Sequence, residues 1–107
     1  MLILRPSNIQ GIGVFTTKNI KIGEYPFVGV RDDSRKIKTV TRNQQRYCIW
    51  DKEKRYWWGP KNFNHMVIWW YLNHSKSPNI STKTWKSIKN IKAGKELVID
   101  YREFKES

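Results

Sequence analysis

The sequence predicts a mostly-β domain made of small sheets and short helices. Three observations carry that reading. Short β-rich runs, Leu2-Ile3-Leu4, Val14-Phe15-Thr16-Thr17 and Leu97-Val98-Ile99, are bounded by turn-forming or polar residues. A near-repeat occurs twice, as Lys18-Asn19-Ile20-Lys21-Ile22-Gly23-Glu24 and Lys89-Asn90-Ile91-Lys92-Ala93-Gly94-Lys95. Each copy reads as strand, glycine turn, strand, which suggests two similarly built small sheets. Fifteen of the 107 residues are Trp, Tyr or Phe. Rings of that size carry enough buried area for a core although only 38% of the chain is hydrophobic.

The length suits one domain over residues 1–107, with room for a single core. No low-complexity linker divides it. Twenty-one Lys and Arg against nine Asp and Glu give a net charge of +12, and the pI is near 10.0. Such a field attracts polyanions: nucleic acid, anionic membrane or acidic protein. Cys48 is the single cysteine, so an intrachain disulfide is excluded. One cysteine and two histidines do not make a cysteine-rich zinc cluster, and no metal site is expected. Met1-Leu2-Ile3-Leu4 is too short for a signal segment before Arg5-Pro6. The longest apolar run, residues 66–72, falls far short of the ~20 residues of a membrane span. The expectation is a soluble intracellular protein without a membrane partner. Cytoplasmic is the simplest placement, with nuclear or host-targeted as alternatives.

Taken in order, Leu2-Ile3-Leu4 opens the chain as a strand that Pro6-Ser7-Asn8 breaks. Gly11-Ile12-Gly13 follows. It is not a dinucleotide fingerprint, because Thr16 stands at the third glycine position and β-branched residues replace the start of a helix. The two glycines serve either a tight turn or a close backbone approach to something bound. Residues 31–64 read as a variable insert. From residue 31 to 55, nine Lys or Arg mix with four acids, and the stretch reads as part helix and part loop. Within it, Tyr47-Cys48-Ile49-Trp50 looks like a strand and Trp57-Trp58-Gly59-Pro60 like a turn. Residues 63–72 read as a short buried helix, apolar nearly all round.

An aromatic run then stops abruptly at Asn73-His74-Ser75-Lys76-Ser77-Pro78-Asn79. Three consecutive residues supply donors and acceptors. Pro78 fixes its own φ and biases Ser77 to an extended form. Asn79 is expected to bond its own backbone and close a turn. This is either a helix end with its turn or a site held by a hydrophobic anchor. The second repeat leads to Leu97-Val98-Ile99-Asp100-Tyr101, a buried strand ending on a polar pair.

Three pieces in order and spacing, Gly11-Ile12-Gly13-Val14-Phe15, Asn73-His74-Ser75-Lys76-Ser77-Pro78-Asn79 and Gly94-Lys95-Glu96-Leu97-Val98-Ile99-Asp100-Tyr101, resemble the SET domain of protein-lysine methyltransferases. The patterns are GxG-V-F, N-H-S-x-x-P-N and G-x-E-L-x-x-D-Y. The resemblance covers about residues 1–102 and points to the minimal single-domain members of viruses and bacteria. It implies the SET fold, with a C-terminal pseudoknot, a rare exception to the avoidance of threading. It implies S-adenosylmethionine as cofactor and a protein lysine as substrate. Gly11, Ile12, Gly13, Asn73 and His74 fall where the family holds the cofactor. Tyr101 falls where it lines the lysine channel. Tyr71 and Tyr47 are further channel candidates, and Phe104 is a candidate cover for the adenine.

Those residue types suit the chemistry. Methyl transfer from a sulfonium to an amine is an in-line displacement, so alignment of the reactants dominates. The lysine must lose a proton although its solution pKa is about 10.4. A desolvating channel and a nearby sulfonium both lower that value. A tyrosine hydroxyl can orient the amine and accept weak C–H···O contacts from the methyl. Two features depart from the pattern. Lys76 stands where many members carry a zinc-binding cysteine, so residues 102–107 or a second subunit would complete the channel. Lys95 precedes Glu96 where a second glutamate is common, which reads as surface variation.

Two other functions compete. Trp50, Trp57, Trp58, Trp69, Trp70 and Trp85 among basic residues could stack nucleic-acid bases over a charged groove. A SET-like chain could also bind without catalysing. The charge argues against free basic histone tails. It favours a target that is acidic near its lysine, or a basic target already on nucleic acid.

Overall fold

The computed structural model describes residues 1–30, 34–45, 47–63 and 66–106, without the side chains of 104–106. Its main sheet has four strands, β1 (Leu2–Pro6), β2 (Ile12–Thr16), β7 (Glu96–Ile99) and β6 (Asn73–His74), adjacent in that order. β1 and β2 form an antiparallel hairpin with Leu2 opposite Thr16 and Pro6 opposite Ile12. Pro6 is tolerated because β1 is an edge strand. β7 runs antiparallel to β2, with Val14 opposite Leu97, and parallel to β6, with Asn73 opposite Val98. The last strand thus enters between segments from the start and the middle of the chain. All three β-rich runs of the sequence lie in this sheet.

Residues of both repeats line the core with the sheet. Val14, Ile20, Phe27, Leu72, Ile80, Ile91, Leu97 and Ile99 form one buried cluster. Phe27 is fully buried and meets Trp69 and Trp85 edge-on, with centroids 6.5 and 6.2 Å away.

The repeat does not build two sheets, because its copies pair with each other. Ile20 and Ile91 exchange backbone hydrogen bonds of 2.7 and 2.8 Å. The Asn19 side chain accepts the Ala93 N–H at 2.9 Å, and the Asn90 side chain accepts the Ile22 N–H at 2.9 Å. The same residue type at the same repeat position makes the same bond to the other copy. Each copy then turns on a glycine, Gly23 at φ 89° and Gly94 at φ 90°. Nothing crowds the missing Cβ at either position, so it is the positive φ itself, which L side chains rarely adopt, that favours glycine.

The insert differs most from expectation. It holds a three-stranded antiparallel sheet, β3 (Arg35–Ile37), β5 (Tyr56–Gly59) and β4 (Ile49–Asp51), and a one-turn helix α1 (Arg42–Gln45). Trp57-Trp58-Gly59, read as a turn, lies in central strand β5. The reversal comes earlier, at residues 52–55, where Arg55 has φ 61°. A cross-strand ring pair explains the shift. Trp50 lies opposite Trp57 with centroids 5.2 Å apart, and along β5 itself Tyr56 meets Trp58 on the same face at 5.2 Å. Of the run 47–50, only Ile49 and Trp50 are in β4.

The expected helix over residues 63–72 shrinks to one 3-10 turn (Ile68–Tyr71). Its three adjacent rings go to three places: Trp69 to Phe27, Trp70 into the interior and Tyr71 to Tyr47. A single helical face cannot serve all three. A short helix, α2 (Tyr101–Glu106), ends the chain. Among the described residues no helix is long and apolar enough to cross a membrane.

Candidate functional site

β6 is only two residues long, and β7 fixes it. Asn73 is buried. Its amide nitrogen lies 2.8 Å from Glu96 Oε2, 3.2 Å from the Gln10 carbonyl and 3.4 Å from the Ile12 carbonyl. All three neighbours are acceptors, so the nitrogen must face them, and its two hydrogens are shared among them. The carboxylate contact is the shortest, as expected for a charge-assisted bond.

Glu96 also accepts the Ser7 hydroxyl at 2.8 and 3.0 Å. One carboxylate therefore joins the turn after β1, β6 and β7. It also explains Gly13: a Cβ there would sit 2.2 Å from Glu96 Oε2. The close approach expected at this glycine is made by the protein's own side chain. Gly11, at φ 48°, is the tight-turn glycine, and the space where its Cβ would stand is open. The sequence reading missed Glu96, although it lies inside the G-x-E-L pattern; Lys95 alone proves to be a surface position.

Asn79 also differs from expectation. Its side chain does not close a turn on its own backbone. It donates to the Glu96 carbonyl at 2.8 Å and accepts the Val98 N–H at 2.8 Å. The loop thereby grips the backbone of β7.

Tyr101 brackets Asn73. Its backbone N–H donates to His74 Nδ1 at 3.0 Å, and its hydroxyl donates to the Leu72 carbonyl at 2.5 Å. The first bond requires the imidazole tautomer with its proton on Nε2. Burial pushes the Tyr101 phenol up to about 12, so it remains a hydroxyl donor at neutral pH. Beside it, Asp100 is buried and accepts from Arg102 Nη2 at 2.7 Å and Nε at 3.0 Å. These hydrogen bonds outweigh desolvation and hold its carboxyl down at about 2.

Tyr47 and Tyr71 meet edge-on with centroids 5.5 Å apart and wall a hollow closed by Gln10, Gly11, Ile12 and Asn73. Its free space is about 10 Å3, room for one water-sized group. Of the sequence candidates, Gly11, Ile12, Asn73, Tyr47 and Tyr71 line it. Gly13 stands behind Glu96. His74 and Tyr101 flank Asn73 outside the lining, with the Tyr101 hydroxyl on Leu72, a wall residue. The Phe104 side chain lies outside the described residues.

The six tryptophans form no stacking platform. Trp70 is buried and the other five are half-buried. Trp50 packs on Trp57, Trp58 on Tyr56, and Trp69 on Trp85.

The SET-domain family model matches residues 11–102. The chain belongs to the SET-domain family. This SET domain resembles solved structures over most of its own length, at low identity. A Plasmodium falciparum protein assigned as a histone methyltransferase aligns over 94% of this chain and 91% of its own, with 22% identity and a TM-score of 0.57. A humanized mutant of the Chaetomium thermophilum polycomb repressive complex 2, bound to an inhibitor, gives 24% identity and 0.59 over 94% of this chain. An autoinhibited ctPRC2 bound to S-adenosylmethionine gives 22% and 0.54, again over 94%. This SET domain spans about 15% of each of those two polycomb chains. At such identities the likeness establishes the fold. A search of curated proteins returned no match.

Proposed function

We propose that the chain is an S-adenosylmethionine-dependent protein-lysine N-methyltransferase. One observation carries the reading beyond family membership: Asn73 and the Gly11 turn, far apart in sequence, line one tyrosine-walled hollow, and Tyr101 is bonded from outside to Leu72 in its wall. The donor set fits the cofactor. Each of the Gln10 and Ile12 carbonyls keeps a second lone pair suited to an ammonium. Gly11 offers an unobstructed face for a ligand backbone. The hollow is the size of a methyl or amine group, so the nucleoside belongs on the open side of the turn, next to His74.

Bound there, the cofactor supplies an electrophilic methyl on a sulfonium. The protein's part is positional. Glu96 fixes the Asn73 amide, which in turn sets the direction of the two carbonyls. Tyr47 and Tyr71 keep water from an incoming lysine and favour its neutral form. The amine sheds its proton to solvent before it enters. Tyr101 is no base, since its phenol holds its proton. Its hydroxyl, turned from Leu72, orients the amine lone pair toward the methyl. Helix α2 or a second copy of the chain completes the outer wall. The substrate is a protein lysine in acidic surroundings, or a basic protein already on nucleic acid, because +12 disfavours free basic tails.

Incubation with methyl-labelled cofactor and host-cell extract tests this. Wild type should label discrete proteins, and Tyr101→Phe should be slower by about 100-fold, the scale of one preorganised hydrogen-bonding group. Asn73→Ala should abolish cofactor binding in calorimetry. Cofactor binding without labelling by either protein would instead identify a catalytically inactive SET-like binder.

A further inference from the structure

We infer that a cleft beside the second repeat binds the phosphodiester backbone of a nucleic acid. The cleft has a volume of about 390 Å3 and is lined by Lys89, Lys92 and Lys95 together with Ser77, Asn79 and Glu96. Its charge is mainly positive, three lysines against one carboxylate among the described lining residues. The sequence holds no Asp or Glu from residue 54 through 95, and places Lys at 83, 86, 89, 92 and 95, every third residue. Lys89, Lys92 and Lys95 are exposed and form no ion pair among the described residues. A tight turn, closed by Lys95 N–H on the Lys92 carbonyl at 3.1 Å, brings two of them to one corner. Glu96, the one carboxylate among the described lining residues, has its oxygens occupied by Ser7 and Asn73 but keeps its charge. Three ammonium groups against it leave an excess of positive charge, which a bound anion relieves.

The lining also selects among anions. Among the described residues it contains no ring and one aliphatic side chain, Ile91. Nothing there stacks a base or anchors an apolar protein side chain. The contacts available are ammonium, hydroxyl and amide groups to phosphate oxygens, which hold a strand without reading its sequence. None of the three lysines lines the tyrosine-walled hollow, so the inference does not depend on methyl transfer.

Fluorescence anisotropy with a labelled oligothymidylate, followed across a salt titration, tests it. The Lys89, Lys92 and Lys95→Gln triple variant should weaken binding at least tenfold at low salt. It should also lower the slope of log K against log salt by about 2, since a single strand contributes about 0.7 per phosphate contact. A charge-matched control, Lys38, Lys52 and Lys54→Gln, removes exposed lysines elsewhere and should bind as wild type does. Lys→Arg at the three cleft positions should retain binding. Circular dichroism melts would verify that each variant is folded. Equal weakening in both Gln variants would overturn the inference in favour of diffuse attraction. Displacement by polyglutamate as effective as by unlabelled oligothymidylate would overturn it in favour of an acidic protein. Absence of binding at low salt would overturn it outright.

Discussion

Gly13 shows how one residue position can be dictated from 83 residues away in the chain. Ala at this site would drive a methyl against the Glu96 carboxylate. Gly13→Ala should lower unfolding free energy by about 1–3 kcal/mol, the range for overpacking a filled site. Denaturant titration would check this, and the loss should shrink in a Glu96→Ala background because the two sites couple. Asp100 gives a second test at this scale. Its folded carboxyl value, held near 2 chiefly by Arg102, lies below the ~3.9 of an unfolded chain. The stabilisation is therefore complete above about pH 4 and disappears as pH falls toward 2. Arg102→Met should be less stable than wild type at neutral pH, and the two denaturant midpoints should converge in acid. The need for glycine at 13 was legible in the sequence, whereas its partner was not. A spacing pattern says that backbone must come close to something; it does not name the atom it approaches.

At the level of elements, the repeat is the most direct case. Gly23 and Gly94 occupy matching turns with φ of 89° and 90°. Replacing either by Ala should cost about 1–2 kcal/mol, the penalty of a side chain in the left-handed region. The two losses, measured by thermal or denaturant unfolding, should agree within a few tenths. The glycine turn of each copy was visible in its residues, but the strands were not: Ile20 and Ile91 form only an isolated bridge, and only the second copy leads into a strand, β7. That the copies bond to each other was not visible either, because pairing across 71 residues leaves no local trace. The same limit explains the insert. Trp57-Trp58-Gly59-Pro60 carries turn-forming residues, yet Trp50 across the ladder draws the tryptophans into a strand. In the main sheet, local pattern and tertiary pairing agree, so β1, β2 and β7 were readable. That Asn73, His74 and Tyr101 come together in space was to be expected only because they recur in order as a family pattern. The bracket Tyr101 makes around Asn73 needed coordinates.

Across the whole molecule, charge and connectivity set the behaviour. A net +12 on a body of radius of gyration 13.4 Å repels itself. Added salt screens that repulsion within a Debye length of about 10 Å at 0.1 M. The melting temperature should therefore rise as sodium chloride goes from millimolar to a few tenths molar. Differential scanning calorimetry would check it, and a flat or falling trend would mean that local ion pairs outweigh the global field. Connectivity has a different outcome. The Ser7–Glu96 bond spans 89 positions, and the Asn73 amide waits on the same carboxylate. During synthesis the first hairpin can form early, but Asn73 lacks its anchor until Glu96 has left the ribosome. A stalled nascent chain that stops before β7 therefore lacks the carboxylate that holds Asn73, and the hollow beside the Gly11 turn takes its form only once Glu96 joins it.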